Sequence, residues 1–145
     1  MAHLPRFSFI FRRSGATAIE YAIVLPVLLL FVLGIMDTGR LLWTYVTIYR
    51  ATEAAARCAA IAAAVPTAAT CTTSSQTQTY AVAAAWGLTI NASAFTVSNP
   101  ACGMQVHASY VFRFVTPWFP GFGGGSPLGT TTLAATVCYP FTPPA

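Results

Sequence analysis

Hydrophobic residues are concentrated in one run near the N-terminus. No charged residue occurs from Tyr21 to Met36, and extension back to Ala16 gives a segment of about 20 residues, the length of a membrane-spanning helix. Pro26 lies inside this run, where membrane helices tolerate proline and where we expect a mild kink. The pattern predicts a transmembrane helix over about residues 18–36.

The spacing typical of a helix continues beyond Met36. Apolar and small residues recur every three or four positions on one stripe, at Leu41, Tyr45, Ile48, Thr52, Ala55, Ala59 and Ala62. Opposite charges three or four residues apart support the same helix, namely Asp37–Arg40, Arg50–Glu53 and Glu53–Arg57. Pro66 and the threonine-rich stretch after it mark the end. One helix is therefore predicted over residues 16–63, partly in lipid and partly outside.

The C-terminal half has shorter patterns. A second helix is predicted over residues 76–87, and β-branched and aromatic residues predict strands over 94–98, 104–115 and 130–139. The glycine- and proline-rich stretch between the last two strands predicts a long hairpin loop. The expected fold class is α+β, with a long N-terminal transmembrane helix that continues into a small exported head. The head should contain the short second helix and a three-stranded antiparallel sheet.

Charge predicts the orientation in the membrane. Charged residues make up 7% of the chain and hydrophobic residues 56%, which is far from the composition of a soluble domain. Arg6, Arg12 and Arg13 precede the apolar run, and this bias predicts a cytoplasmic N-terminus. Residues 64–145, which we call the head, are then exported. The net charge is +4, but the arginines are scattered and lysine is absent, so a nucleic-acid partner is not expected.

All four cysteines lie beyond the apolar run, on the exported side of the membrane, which favours disulfide bonds. They are Cys58, Cys71, Cys102 and Cys138. Four cysteines allow three connectivities, and the sequence does not choose among them. A bond between the first two would tie the helix end to its loop, and a bond between the last two would join two strands. Redox chemistry is not expected because the chain has no C-x-x-C pair.

No constellation for catalysis or metal binding is present. Beyond the apolar run the acidic residues are Asp37 and Glu53, and the one imidazole is His107. They suggest neither an acid–base pair nor a nucleophile with its base. His3 lies on the opposite side of the membrane, and the cysteine spacings do not suggest zinc. We expect no catalytic residue, no metal and no cofactor, and we expect the protein not to be an enzyme.

The long hairpin loop also has no phosphate-binding signature. Its glycines, at positions 121–129, are not followed by a Gly-Lys-Ser/Thr step. Trp118, Phe119 and Phe122 in this loop have two interpretations. They form a contact patch, or they are part of a partly packed loop.

The junction of basic leader and apolar run contains a recognisable motif. Residues 12–21 read RRSGATAIEY, which resembles the processing site of type IVb/c prepilins, including Flp pilins and pseudopilins. The resemblance implies a prepilin-like leader over residues 1–15 and cleavage by a prepilin peptidase between Gly15 and Ala16. Glu20 and Tyr21 would then be the fifth and sixth residues of the mature chain.

The wider region, residues 16–61, resembles the TadE-like domain of tight-adherence pilus systems. It shares the Leu-Pro step, the acidic-x-Gly-Arg-Leu exit from the apolar run and the Ala-Ala-Arg end. This implies a pilin-like minor pilin or pseudopilin. Its partners would be membrane lipid, other pilin and pseudopilin subunits, and the inner-membrane assembly platform. It would be a single-pass inner-membrane protein with a periplasmic head, or a component of an extracellular pilus after assembly.

Glu20 lies at the edge of the apolar run, where an unpaired carboxylate costs a few kcal/mol. In the family its partner is the N-terminal amine of a neighbouring subunit, so Glu20 and Tyr21 are candidate assembly residues. The alternative is a carboxylate hydrated at headgroup level. Pro26, Gly34 and Gly39 are candidates for helix packing. The alanines beyond Ala54 pack against a neighbouring backbone or against the sheet of this chain.

The same residues allow other interpretations. A secretory signal peptide has a shorter apolar part that ends in a small-residue cleavage site, whereas the end of this run, residues 34–37, reads GIMD and contains no Ala-x-Ala. The residues after Arg12 and Arg13 do not continue a twin-arginine export pattern. The remaining alternatives are an unprocessed bitopic assembly factor of the same apparatus, or an exported enzyme or ligand-binding domain on a helical anchor.

Overall fold

A computed structural model describes residues 14–65, 67, 70–115 and 129–141. The chain forms helix α1 (Ser14–Ala64), helix α2 (Ser74–Ala84), a 3₁₀ turn (Ala92–Ala94) and strands β1 (Phe95–Ser98), β2 (Met104–Arg113) and β3 (Thr130–Tyr139). The α+β class, the long N-terminal helix, the short second helix and the three-stranded antiparallel sheet are all confirmed.

Helix α1 has 51 residues and runs without interruption through Pro26, which makes it about 77 Å long at 1.5 Å per residue. Its two halves have different surroundings. The large apolar side chains from Ile19 to Met36 are exposed, whereas a stripe from Asp37 to Ala60 is buried. Among the described residues, α1 is the one helix that is long and apolar enough to cross a membrane.

The sheet has the order β1-β2-β3, and both pairs are antiparallel. All ten residues of β2 pair with β3, from Met104 opposite Tyr139 to Arg113 opposite Thr130. Because side chains alternate between the faces of a strand, Val106 and Ala108 both point into the core. The same face of the sheet lies against α1 and α2.

The core of the folded part is built mostly from small residues. Phe95, Ile48 and Val106 are its largest fully buried apolar side chains, and alanines fill the remaining positions, at Ala51, Ala55, Ala56, Ala81, Ala85, Ala108 and Ala135. Alanine allows a helix to lie close to a sheet, because few atoms separate the two backbones. The structure therefore supports packing of the α1 alanines against the sheet of this chain.

One residue of the stripe predicted on α1, Tyr45, is not part of the buried face. Tyr45 is 43% exposed, and Thr44 is buried in its place. Thr44 and Ile48 are four residues apart and share a face with Ala51 and Thr52, so the position of Tyr45 falls beside this face. The large ring of Tyr45 lies outside the alanine-rich contact.

Helix α2 and strand β2 also differ from prediction at their ends. Helix α2 begins at Ser74 rather than at residue 76, because the Thr73 hydroxyl accepts a hydrogen bond from Gln76 N at 3.3 Å and caps the helix. It ends at Ala84, before Gly87, whose φ of +76° is not helical. Strand β2 ends at Arg113 rather than at residue 115, because the backbone N–H of Val115 donates to α1 instead.

Two disulfide bonds close the folded part. The Cys58–Cys71 bond ties the end of α1 to the segment before α2, and the Cys102–Cys138 bond ties the turn before β2 to the end of β3. This is one of the three connectivities that the sequence left open. Cross-links of this span stabilise small domains by about 3 kcal/mol each, chiefly by restricting the unfolded chain.

Candidate functional site

The first half of α1 is a helix with no covering partner inside the described part of the chain. Its large side chains are between 41% and 72% exposed from Ile19 to Met36. Soluble monomers rarely expose contiguous apolar patches above a few hundred Å². This half of the helix therefore requires lipid, another helix or both around it.

A shallow apolar groove follows one face of this helix. We call it the glycine groove, and it is lined by Val27, Leu30, Phe31, Gly34, Ile35, Thr38, Gly39 and Leu42. Gly34 and Thr38 are four residues apart, so they form a pair of small residues on one face, as in closely packed membrane helices. A Cβ at Gly39 would meet no atom within 4 Å. The packing of this chain therefore does not require a glycine at that position.

Two of the three residues predicted to take part in helix packing lie together in the structure. Gly34 and Gly39 both line the glycine groove, whereas Pro26 does not. Thr38 was missed by sequence analysis, although its four-residue spacing from Gly34 was a usable signal. The Thr38 hydroxyl donates to the Gly34 carbonyl at 2.8 Å, so its hydrogen-bonding need is met within the helix.

The residues of the proposed processing site begin α1. Gly15 and Ala16 lie in its first turn, and a Cβ at Gly15 would have open space around it. Glu20 and Tyr21 follow on the exposed surface of the helix. No hydrogen bond or ion pair joins Glu20 to any described residue. Its position leaves the carboxylate accessible, and its assembly role stays a prediction.

A buried carboxylate lies where the apolar half of α1 ends. Asp37 is 3% exposed, and its two carboxylate oxygens accept hydrogen bonds from Val115 N at 3.1 and 3.3 Å. Arg40 Nη1 donates to the same carboxylate at 3.0 Å, and the guanidinium lies 5.4 Å from the centroid of the Phe112 ring. We call these four residues the exit clamp.

The exit clamp connects the sheet to the end of the apolar half of α1. A buried carboxylate is tolerated when hydrogen bonds and a counter-charge compensate it, and here a backbone amide and Arg40 do so. The Asp37–Arg40 pair was predicted from spacing and is confirmed. The contact with Val115 was missed, because the donor is a backbone group 78 residues away in sequence.

The other predicted charge pairs on α1 were wrong. Glu53 forms no ion pair with Arg50 or Arg57 in the described structure. All three side chains are exposed and line an open groove between α1 and the segment before α2. Exposed charged side chains are well hydrated, so an ion pair between them contributes only about 0–1 kcal/mol to stability.

The remaining candidate groups are engaged in structural contacts. His107 Nδ1 lies 2.7 Å from the Thr136 hydroxyl, across the β2–β3 pair. All four cysteines are disulfide-bonded. No cluster of three potential metal ligands occurs within the described ranges. Trp118, Phe119 and Phe122, the candidate contact patch of the loop, lie outside the described residues.

Comparison with known proteins connects this geometry to a family. Residues 15–57 match the family model described as TadE-like protein. The match contains the apolar half of α1, the glycine groove, and Asp37 and Arg40 of the exit clamp, so the predicted resemblance is confirmed over this segment. TadE-like proteins are structural pilus components rather than enzymes, and the match associates this chain with the Tad pilus. No curated protein and no solved structure gives a significant match to the chain.

Proposed function

From this TadE-like segment we propose that the protein is a minor pilin or pseudopilin of a Tad-type pilus assembly or secretion system. It is inserted once in the bacterial inner membrane, with a cytoplasmic N-terminus and a periplasmic head, and it enters an extracellular pilus after assembly. One observation carries the proposal: the uncovered apolar half of α1 begins with Glu20 and lies inside the TadE-like match.

Helix packing is the central interaction of this function. Prepilin peptidase cuts between Gly15 and Ala16, and the new amine pairs with Glu20 of a neighbouring subunit. A shift in register would leave both charges unpaired in an apolar setting, at a cost of several kcal/mol. The glycine groove receives the neighbouring helix, because its small residues let two backbones approach closely.

The head is attached to α1 at two points, so the two should move together. The exit clamp joins β2 to the membrane end of α1, and the disulfide at Cys58 joins α1 to the segment before α2. When the apolar halves of neighbouring subunits pack in a fixed register, the positions of their heads are therefore fixed as well. The assembly platform acts on this unit, and adherence depends on the pilus that the units build.

N-terminal processing is the first test of this function. The protein is purified from its native membrane, and its intact mass and N-terminal sequence are measured. We expect an N-terminus at Ala16 and recovery of the protein in sheared pili. Gly15→Val should block cleavage, whereas the neighbouring Ser14→Ala should not. An intact N-terminus at Met1 in the wild type would refute the processed-pilin proposal and favour the unprocessed bitopic assembly factor.

A further inference from the structure

We infer that the membrane-facing end of the folded part docks on the headgroups of anionic phospholipids. The docking surface, which we call the interfacial base, consists of Arg40, Trp43, Trp86, Val111 and Arg113. This inference requires membrane insertion of α1, as proposed above, but neither cleavage nor entry into a pilus.

The position of the base along α1 is the first argument. Arg40 and Trp43 follow Asp37 by three and six residues, which places them about 4.5 and 9 Å beyond it along the helix axis. The polar layer of each leaflet is about 5–8 Å thick, given a 30 Å hydrocarbon core in a bilayer of 40–45 Å. With the apolar half in the core, Arg40 lies at headgroup level and Trp43 at the outer edge.

Contacts place the ends of β2 and α2 at the same level. The Arg40 guanidinium lies against the Phe112 ring, and the neighbours Val111 and Arg113 line one open cavity with Arg40 and Trp43. Gly87 belongs to this cavity, and a Cβ there would lie only 2.8 Å from Trp43 Cη2. The segment just after α2, which contains Trp86, is therefore adjacent to Trp43.

The exposed side chains of the base suit an interface between lipid and water. Trp86 is 81% exposed, more than any other large hydrophobic residue described, and Val111 and Trp43 are 56% and 48% exposed. Tryptophan is enriched at headgroup level because one end of its indole is apolar and the other donates a hydrogen bond. The base also continues directly from the apolar half of α1.

Charge selects the type of lipid. Asp37 compensates Arg40, but Arg113 is exposed and forms no ion pair with a described residue. The next acidic residue along α1 is Glu53, about 24 Å above Asp37 on the helix. The base is thus positively charged, and cationic groups near a surface favour anionic phospholipids.

The test measures the depth of Trp86 in bilayers that contain the full-length protein. Trp118→Phe and Trp43→Phe leave Trp86 as the only tryptophan, and the second substitution keeps an aromatic ring at this position of the base. Lipids brominated along the acyl chain near the headgroup serve as quenchers. One set of vesicles is phosphatidylcholine alone, and the other also contains phosphatidylglycerol. Insertion of α1 is verified in each sample by resistance to carbonate extraction.

We expect Trp86 to be quenched, and more strongly when phosphatidylglycerol is present. Arg113→Gln should reduce the preference for the anionic lipid by up to about fivefold, the effect of one basic residue near a charged surface. Arg57→Gln is the matched control, because Arg57 is exposed far from the base, in the groove beside α2, and it should change nothing.

Three outcomes would overturn the inference. They are an unquenched Trp86 in both vesicle types, equal quenching that Arg113→Gln does not alter, and protection of Trp86 that rises with protein density rather than with lipid composition. The last would assign the base to a neighbouring subunit. Failure of α1 to insert would instead count against the proposed function, so the two failures are distinguishable.

Discussion

Asp37 shows how one side chain can join two parts of this molecule. Its carboxylate accepts from the backbone of Val115 and from Arg40, so the first charged group after the apolar run also holds the end of the sheet. Replacement by a side chain without an acceptor would remove the partner of the Val115 N–H and the counter-charge of Arg40. Hydrogen bonds to a charged group contribute about 1.5–3 kcal/mol to stability.

Asp37→Ala should therefore lower the free energy of unfolding by about 2–3 kcal/mol. Asp37→Asn should lower it by about 1 kcal/mol, because its amide oxygen can still accept from Val115 while the ion pair is lost. Thermal unfolding in lipid nanodiscs measures both. Glu53→Ala is the control, as an exposed acidic residue on the same helix, and should stay within about 0.5 kcal/mol of wild type. Equal losses for Asp37→Ala and Glu53→Ala would show that the clamp contributes nothing.

Gly103 illustrates a position where only glycine fits. Its φ is +119°, and a Cβ would collide with the Tyr139 carbonyl oxygen and lie 2.8 Å from Pro140 Cα. Gly103→Ala should destabilise the folded part by about 2 kcal/mol or more, since backbone strain and a clash with backbone atoms combine. Gly39→Ala is the contrast, because that helical site is open and alanine favours a helix by up to about 1 kcal/mol. Thermal unfolding that is the same for both variants would contradict this.

At the scale of elements, α1 is one continuous helix whose two halves have different surfaces. Its first half exposes large apolar side chains, and its second half has a stripe of small residues that packs against the sheet. The sequence was sufficient to predict this division, because both halves have local periodicity and the apolar run ends sharply at Asp37. The strands of the head were also predictable, because their β-branched and aromatic residues lie between clear turn signals.

What could not be predicted depends on tertiary packing. Thr44 rather than Tyr45 faces the sheet because the sheet approaches from that side, which the spacing along α1 does not determine. The disulfide connectivity and the Asp37–Val115 contact join residues distant in sequence. The interfacial base likewise consists of residues from α1, β2 and the segment after α2. None of these residues, taken singly in the sequence, indicates such a surface.

The glycine groove gives a prediction about the surface of one element. Gly34→Ile should fill the groove and weaken association of the apolar helices at least tenfold, because two backbones could no longer approach closely. The free energy of unfolding of the folded part should change little, since every residue that lines the groove belongs to α1. Association of the helices is measured in membranes by cross-linking that does not use the disulfide-bonded cysteines. Val32→Ile is the control, because Val32 does not line the groove, and an equal loss there would argue against the groove as the contact.

At the scale of the whole molecule, a substitution at Glu20 tests the proposed assembly function separately from the fold. This residue is exposed and forms no hydrogen bond or ion pair with a described residue, so Glu20→Gln should leave the unfolding temperature of the folded part unchanged. Recovery of the protein in sheared pili should nevertheless fall at least tenfold, because a neutral amide cannot form an ion pair with the amine of the next subunit and the register loses its main electrostatic determinant. Glu53→Gln removes the same charge from the exposed second half of α1 and should assemble normally. If both variants enter pili like the wild type, Glu20 is a hydrated headgroup-level residue, and subunit register then depends on the glycine groove and the heads alone.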